Sequence, residues 1–244
     1  MKTIATGEIT RHVRAFLRAH DERTPPSRRR ERSWDFCFNH FQDHSNPTEA
    51  MDLSCLHLGY YLASWGMLRG SSFLFNHTNA LHYRKVVEVI EEHNQAMRGL
   101  DVHHYRDDAA DEHLSKAWKD LEKALLPEGG RPLTLISKVM LGVWGCLPSY
   151  DTYFVDTFQS LAGDKVDKRA FALGNRRSRS LLAGFYTEHA QEIDDLASQL
   201  RTLDMATGKE TRRPMTRAKV IDIFGFHWTY AGNASLLGTE RASI

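Results

Sequence analysis

The sequence has no surplus of either charge: 32 Lys and Arg stand against 31 Asp and Glu, a formal net charge of +1 over 244 residues. That balance excludes a strongly basic nucleic-acid binder held by bulk electrostatics, so contact with a polyanion has to come from local patches. Cysteine is scarce. Cys37, Cys55 and Cys146 are far apart among apolar residues, which fits a reducing, cytoplasmic compartment and excludes a four-cysteine cluster. The longest uncharged run, residues 53–68, contains Ser, His and Gly and is too short and polar for a membrane span. The opening MKTIATGEITRHVRAFLRAH carries charge and histidine throughout and does not read as a signal peptide. P-loop, GxGxxG, GxSxG and HExxH signatures and a Cys/His quartet are absent, which removes the commonest nucleotide, acyl-transfer and zinc readings. The 13 histidines, among them His40 and His44 and the adjacent His103-His104, read as scattered surface residues, and no metal is expected. Alternating-period strands, internal repeats and low-complexity tracts are missing too. The class implied is all-α and soluble.

What is present is helical periodicity in an ordinary folded composition, 41% hydrophobic and 26% charged. A single globular helical unit over residues 1–244 is expected, with no obligate protein partner. Residues 8–22 place Ile9, Val13, Phe16 and Leu17 on one face. Residues 23–32, RTPPSRRRER, form a connector stiffened by Pro-Pro, and Ser33 stands where a cap would open the next helix. Residues 50–68 are apolar around most of the circumference, which predicts a central helix. Beside it, Tyr60, Trp65, Arg69 and Ser72 combine aromatic surface with donors, as a pocket for a planar ring requires; the alternative is that the aromatics are core and Arg69 caps the helix. Helices follow over 81–95, 109–126 and 176–203, with a polar linker over 207–214 and a closing helix over 215–230.

Residues 126–158, LPEGGRPLTLISKVMLGVWGCLPSYDTYFVDTF, organise the rest. Pro127 and Gly129-Gly130 break the incoming helix. From Thr134, Leu135, Ile136, Val139, Met140, Val143 and Trp144 recur at helical spacing and make one buried face. Pro148 stops that helix, and Asp151 occupies an N-cap position, its carboxylate near the amides of the next turn.

This arrangement resembles the helix-hairpin-helix DNA glycosylase superfamily. Leu126-Pro127-Glu128-Gly129-Gly130-Arg131-Pro132-Leu133-Thr134 is similar to its hairpin with one extra residue, Ser149-Tyr150-Asp151-Thr152 to its aspartate segment, and Thr134 and Asp151 are 17 residues apart. The resemblance implies a two-lobed helical architecture, lobes near 33–126 and 127–230, with Asp151 as catalytic carboxylate at a central cleft. It further implies that Gly129, Gly130, Arg131, Thr134 and Lys138 meet the DNA backbone, and that hairpin carbonyls hold a monovalent cation, no other cofactor being expected. Tyr60, Trp65, Arg69, Ser72, Trp144 and Tyr150 are the candidates for a base pocket. Members that also cut the backbone carry a lysine just before the hairpin threonine. Here Pro132 and Leu133 stand there and Lys138 lies a turn beyond, so a monofunctional enzyme is expected, with Lys138 as a phosphate contact or a surface lysine. The polar pocket candidates point to a modified, glucosylated cytosine of phage double-stranded DNA as substrate. A rival is a helical ribonuclease toxin of the HEPN type, to which Arg14…His20 and Arg98…His103 are loosely similar; a non-enzymatic helical interaction module is the third reading.

Overall fold

A computed structural model of the chain describes residues 2–18, 24–70, 72–163, 166–167 and 169–241, the side chains of 233–241 excepted. Eleven α-helices run through these residues: α1 Glu8–Arg18, α2 Ser33–Asp43, α3 Met51–Ser64, α4 Phe73–His77, α5 Tyr83–Met97, α6 Asp108–Leu125, α7 Pro132–Val143, α8 Thr152–Ala162, α9 Arg176–Glu188, α10 Ala190–Gln199 and α11 Arg217–Arg241. The all-α expectation holds in its coarse form. Helix α5 lies along α6 and α2 along α3, while α11 packs on α8, α1 and α10.

The centre belongs to α7. Pro132 opens it at a first-turn position, where a missing amide loses no helical bond. Residues 135–150 are then buried without interruption, on every side of the helix and not on one face. Trp34 on α2 donates its indole N–H to the Leu141 carbonyl at 2.8 Å, and the Gln42 amide donates to the Val143 carbonyl at 3.0 Å. The Leu141 carbonyl also accepts from the Gly145 N–H at 3.1 Å, while the bond from Gln42 satisfies the Val143 carbonyl at the helix end inside the core. The expectation of a central 50–68 helix is corrected: Leu53, Leu56 and Tyr60 on α3 are 54%, 58% and 67% exposed. Only the other face of α3 reaches α7. There Tyr61 lies so close to Gly142 that an added Cβ would sit 2.4 Å from its ring.

Helix α3 also stops at Ser64, short of the predicted 68. Gly66 adopts φ +74°, its N–H donates to the Ala63 carbonyl at 2.9 Å, and the Met67 N–H returns to the Leu62 carbonyl at 2.9 Å. This left-handed glycine terminus leaves Trp65 as the C-cap residue, facing the core beside α7.

Two further expectations change. The single helix over 176–203 is interrupted at His189, and its last residues, Arg201–Leu203, form strand β1, which pairs antiparallel with β2, Glu210–Pro214. The segment read as a polar linker is therefore half of a hairpin. Asp35 accepts from the Leu203 N–H at 2.9 Å and Asn39 donates to the Leu203 carbonyl at 2.9 Å, so α2 supplies the backbone partners that the short ladder lacks. Ser33 is the first residue of α2 and not its cap; Arg32 holds the cap position without a side-chain bond.

Gly142→Ala is expected to destabilise by about 1–3 kcal/mol, because the Tyr61 ring is buried and cannot swing away. Gly184→Ala in α9, where an added methyl meets only the Arg106 guanidinium at 3.8 Å, an ordinary contact, is the helical control. Urea titrations of the two variants check the difference.

Candidate functional site

Residues 149–151, between α7 and α8, are pinned before any catalytic question arises. Thr134 donates its hydroxyl to the Tyr150 carbonyl at 2.9 Å, the Tyr150 N–H donates to Ser137 Oγ at 2.9 Å, and the Ser149 N–H donates to Asp222 Oδ1 at 2.9 Å. Asp151 follows directly and accepts from the Phe154 N–H at 3.0 Å, the predicted N-cap of α8. Its second carboxylate oxygen is turned toward α7, with Lys138 Nζ 3.8 Å away.

Lys138 is therefore not a surface lysine. It is buried, and among the described residues its ammonium nitrogen makes no hydrogen bond. A second pair closes the pocket from α11, where Lys219 Nζ lies 2.8 Å from Asp222 Oδ2. Both lysine nitrogens face the Trp65 ring, at 5.0 Å for Lys138 and 5.6 Å for Lys219 from its centroid, and the Arg30 guanidinium lies 5.1 Å from the same centroid. Phe16 on α1 and Phe226 on α11 complete the wall around a cavity of about 10 Å³, room for a single water. Two buried polar atoms in this wall, Trp65 Nε1 and Ser149 Oγ, have no hydrogen-bond partner among the described residues.

The electrostatics follow from burial. Desolvation lowers the Lys138 pKa from the ordinary lysine value; Asp151 and Asp222 resist, while Lys219 and Arg30 push the same way as burial. The Asp151 pKa is raised, again by desolvation first, with Lys138 and the Phe154 N–H opposing. An amine and a carboxyl are thus both biased toward their neutral forms within 4 Å of each other, as nucleophiles and proton carriers in active sites are.

Beside this pocket lies an open groove of about 690 Å³ that gathers Arg69, Ser72, Gly130, Arg131 and Thr134. It adjoins the pocket through Trp65-Gly66 and through the Thr134–Tyr150 bond. Gly129 forms the turn before it with φ +85° and Gly130 has φ +155°. Neither the Arg69 nor the Arg131 guanidinium has an ion-pair partner among the described residues. The arginines of 176–179 differ: Arg176 pairs with Asp108, Arg177 with Asp167 at 3.5 Å and Arg179 with Asp111 at 2.6 Å. Arg213 pairs with Asp43 at 2.6 Å. Of the arginine clusters in the sequence, only 28–32 reaches the pocket, through Arg30.

The remaining sequence candidates have structural partners or face other surfaces. Ser72 caps α4, accepting from the Phe75 N–H at 3.3 Å. Trp144 is core, donating to Asn94 Oδ1 at 3.0 Å, and Tyr150 is core, donating to Ser178 Oγ at 3.0 Å. Tyr60 is exposed beside a separate groove with Leu56 and Ala80. Among the histidines, His40 stacks on His44 and His57 at 4.4 and 4.3 Å, and no group of three or more His, Cys, Asp or Glu that could hold a metal occurs among the described residues. Of the ribonuclease-like pairs, His20 lies outside the described residues, and Arg98 is committed to the carbonyls of Phe41, Gln42 and His44 at the end of α2. Sequence reasoning missed Lys219 and Asp222. The signal was there: two opposite charges three apart inside the apolar run Val220, Ile221, Ile223, Phe224.

No family model matches the chain, and neither curated proteins nor solved structures give a match.

The double variant Lys138→Met with Asp151→Asn, which leaves neither charge of the pair buried alone, is expected to leave the melting temperature unchanged or to raise it, since a buried amine without hydrogen bonds gives way to a side chain of similar volume. A loss above about 2 kcal/mol in a thermal melt would make Lys138 a structural residue.

Proposed function

We propose that this protein is a DNA N-glycosylase whose reaction centre is the Lys138–Asp151 pair. The observation that carries the reading is a buried lysine nitrogen without a hydrogen bond, 3.8 Å from a carboxylate that caps a helix. The hairpin resemblance supports it independently of that geometry. In this reading the helical lobes, near 33–126 and 127–230, flank a cleft; duplex DNA lies along the groove with Arg69 and Arg131 on its phosphates, and the target nucleotide flips toward Trp65. Flipping costs a few kcal/mol, which contacts in the pocket offset. The cavity, at about 10 Å³, admits a water and not a base, so Phe16, Trp65 or Phe226 moves aside on entry.

The chemistry assigned to the pair is substitution at the sugar. The neutral Lys138 amine bonds to C1′ as the glycosidic bond breaks, and the bond's electron pair leaves with the base, which takes up a proton. Asp151 stabilises the positive charge that builds on the sugar in the transition state. The C1′–O4′ bond then breaks as the nitrogen lone pair forms a second bond to C1′, O4′ keeps the electron pair and takes the nitrogen's remaining proton, and an imine is left between Lys138 and C1′. The monofunctional expectation rested on Pro132 and Leu133 at the usual lysine positions; the fold brings Lys138 from the next turn of α7 to the carboxylate instead.

Labelled duplexes with natural bases and with phage-type modified cytosines, glucosylated ones included, test the proposal. Base release, together with a covalent protein–DNA adduct trapped by borohydride, is the expected result. Asp151→Asn reduces release by about 10²-fold or more, and Lys138→Ala abolishes the adduct. Release without an adduct would return the nucleophile to a water activated by Asp151, whereas no release from any duplex would remove the glycosylase reading. Because the amine reacts only when neutral, the rate rises with pH and levels off below the ordinary lysine range.

Arg69→Ala and Arg131→Ala are each expected to weaken binding equally across DNA sequences and to reduce the slope of log K against log salt by about 1. Filter binding over a salt series measures it; unchanged slopes for both would put the DNA on another face.

A further inference from the structure

Lys219 is the buried charge of this pocket that the reaction above leaves without a task. It sits on α11 with Asp222 one turn later, both buried, and Asp222 ties the pair to the site by accepting the Ser149 N–H at 2.9 Å. A buried ion pair is seldom a net source of stability, so its retention beside a second lysine calls for another reason. The two lysines share one aromatic surface, the Trp65 ring, and one cavity, but not the same bonding: Lys219 has a carboxylate oxygen at 2.8 Å and Lys138 has none nearer than 3.8 Å.

We propose that Lys219 is a positioning residue whose charge, added to the effect of burial, disfavours the ammonium form of Lys138 and leaves its amine free toward the pocket, with Asp222 as the strut that holds it there. The proposal rests on Lys138 being the nucleophile. Two ammonium groups lining one small cavity repel, and the one without a hydrogen-bonded counter-charge gives up its proton more readily. The charged and titratable groups around Lys138 are Asp151 before α8, Asp222 and Lys219 on α11, Arg30 ahead of α2 and Tyr61 on α3. The two aspartates favour the ammonium. Arg30 opposes them from an exposed position, and Lys219 is the cation that opposes them from inside.

The test reads Lys138 directly and without DNA. Competitive acetylation with trace acetic anhydride over a pH series, followed by peptide mass spectrometry, gives the pH midpoint at which Lys138 becomes reactive. In Lys219→Met the midpoint is expected to move up by about one pH unit, and base release at neutral pH to fall about tenfold and recover at higher pH. Lys219→Arg, which keeps the charge, is expected to keep the wild-type midpoint. Where circular dichroism shows the methionine variant unfolded, Lys219→Gln, which can still bond to Asp222, takes its place. An unchanged midpoint on loss of the Lys219 charge overturns the proposal whatever the DNA result. A shifted midpoint in a protein that releases no base from any duplex would uphold the lysine coupling and remove the glycosylase reading alone.

Discussion

Lys138 projects from the middle of a helix that is buried on all sides, and much of what surrounds it answers the cost of putting an amine there. Taking an isolated ammonium out of water is prohibitive unless it is paired or neutral. The fold offers both remedies in part: Asp151 stands at 3.8 Å, too far for a hydrogen bond, and desolvation lowers the pKa so that the neutral form becomes accessible. A site optimised for stability would have brought the carboxylate closer or put methionine in place of lysine. The gap between the two charges is the feature that a functional account has to explain.

The pocket depends on elements far apart in the chain. Helix α7 supplies Lys138 and, through Thr134 and Ser137, the two hydroxyls that grip Tyr150. The α3 terminus supplies Trp65, set in place by the left-handed Gly66. Helix α11 supplies Asp222, which holds the backbone of Ser149, and Lys219. The bonds from Thr134 and Ser137 to Tyr150 and from Ser149 to Asp222 join distant parts of the chain, so the site forms only when α3, α7 and α11 have docked. A close approach makes the docking specific: Gly142 admits the Tyr61 ring, and Tyr61 lines the same cavity. Packing in the core and placement of the reactive groups are here one constraint.

Much of this was legible in the sequence. Pro132, the period of apolar residues to Trp144, Pro148 and an aspartate in capping position specify helix, loop and helix because each acts locally, through a missing amide, a buried face or a carboxylate at free amides. The pocket itself was less legible, for two physical reasons. Helical periodicity assigns a lone charge to the solvent side, and that inference fails where a helical stretch has no solvent side, as with Lys138 in Leu135–Val143 and with Lys219 and Asp222 in residues 218–225 of α11. Aromatic residues read as pocket walls were sorted by tertiary packing that no local pattern reports: Trp65 faces the lysines, Trp144 and Tyr150 are consumed by the core, and Tyr60 points outward. The hairpin Arg201–Leu203 and Glu210–Pro214 was invisible for a similar reason, since a short ladder anchored by Asp35 and Asn39 needs little strand propensity of its own.

The two buried lysines differ in how they are bonded. Both lie in the same cavity beside the same indole, and burial acts on both. Lys219 behaves as a structural ion does: it has a carboxylate at hydrogen-bond distance, and that carboxylate is itself fixed by a backbone N–H. Lys138 has neither, although Asp151 is close enough that a small rotation would make the bond. What prevents it is that Asp151 spends its other oxygen on the Phe154 amide, and its backbone is held by the bonds to Tyr150 just before it. The carboxylate is thus anchored to α8, leaving Lys138 Nζ beside a negative charge it does not bond and beneath a cavity the size of one water. A buried nitrogen left beside a carboxylate it does not bond, at the expense of a stronger ion pair, is the arrangement that the proposed covalent reaction requires.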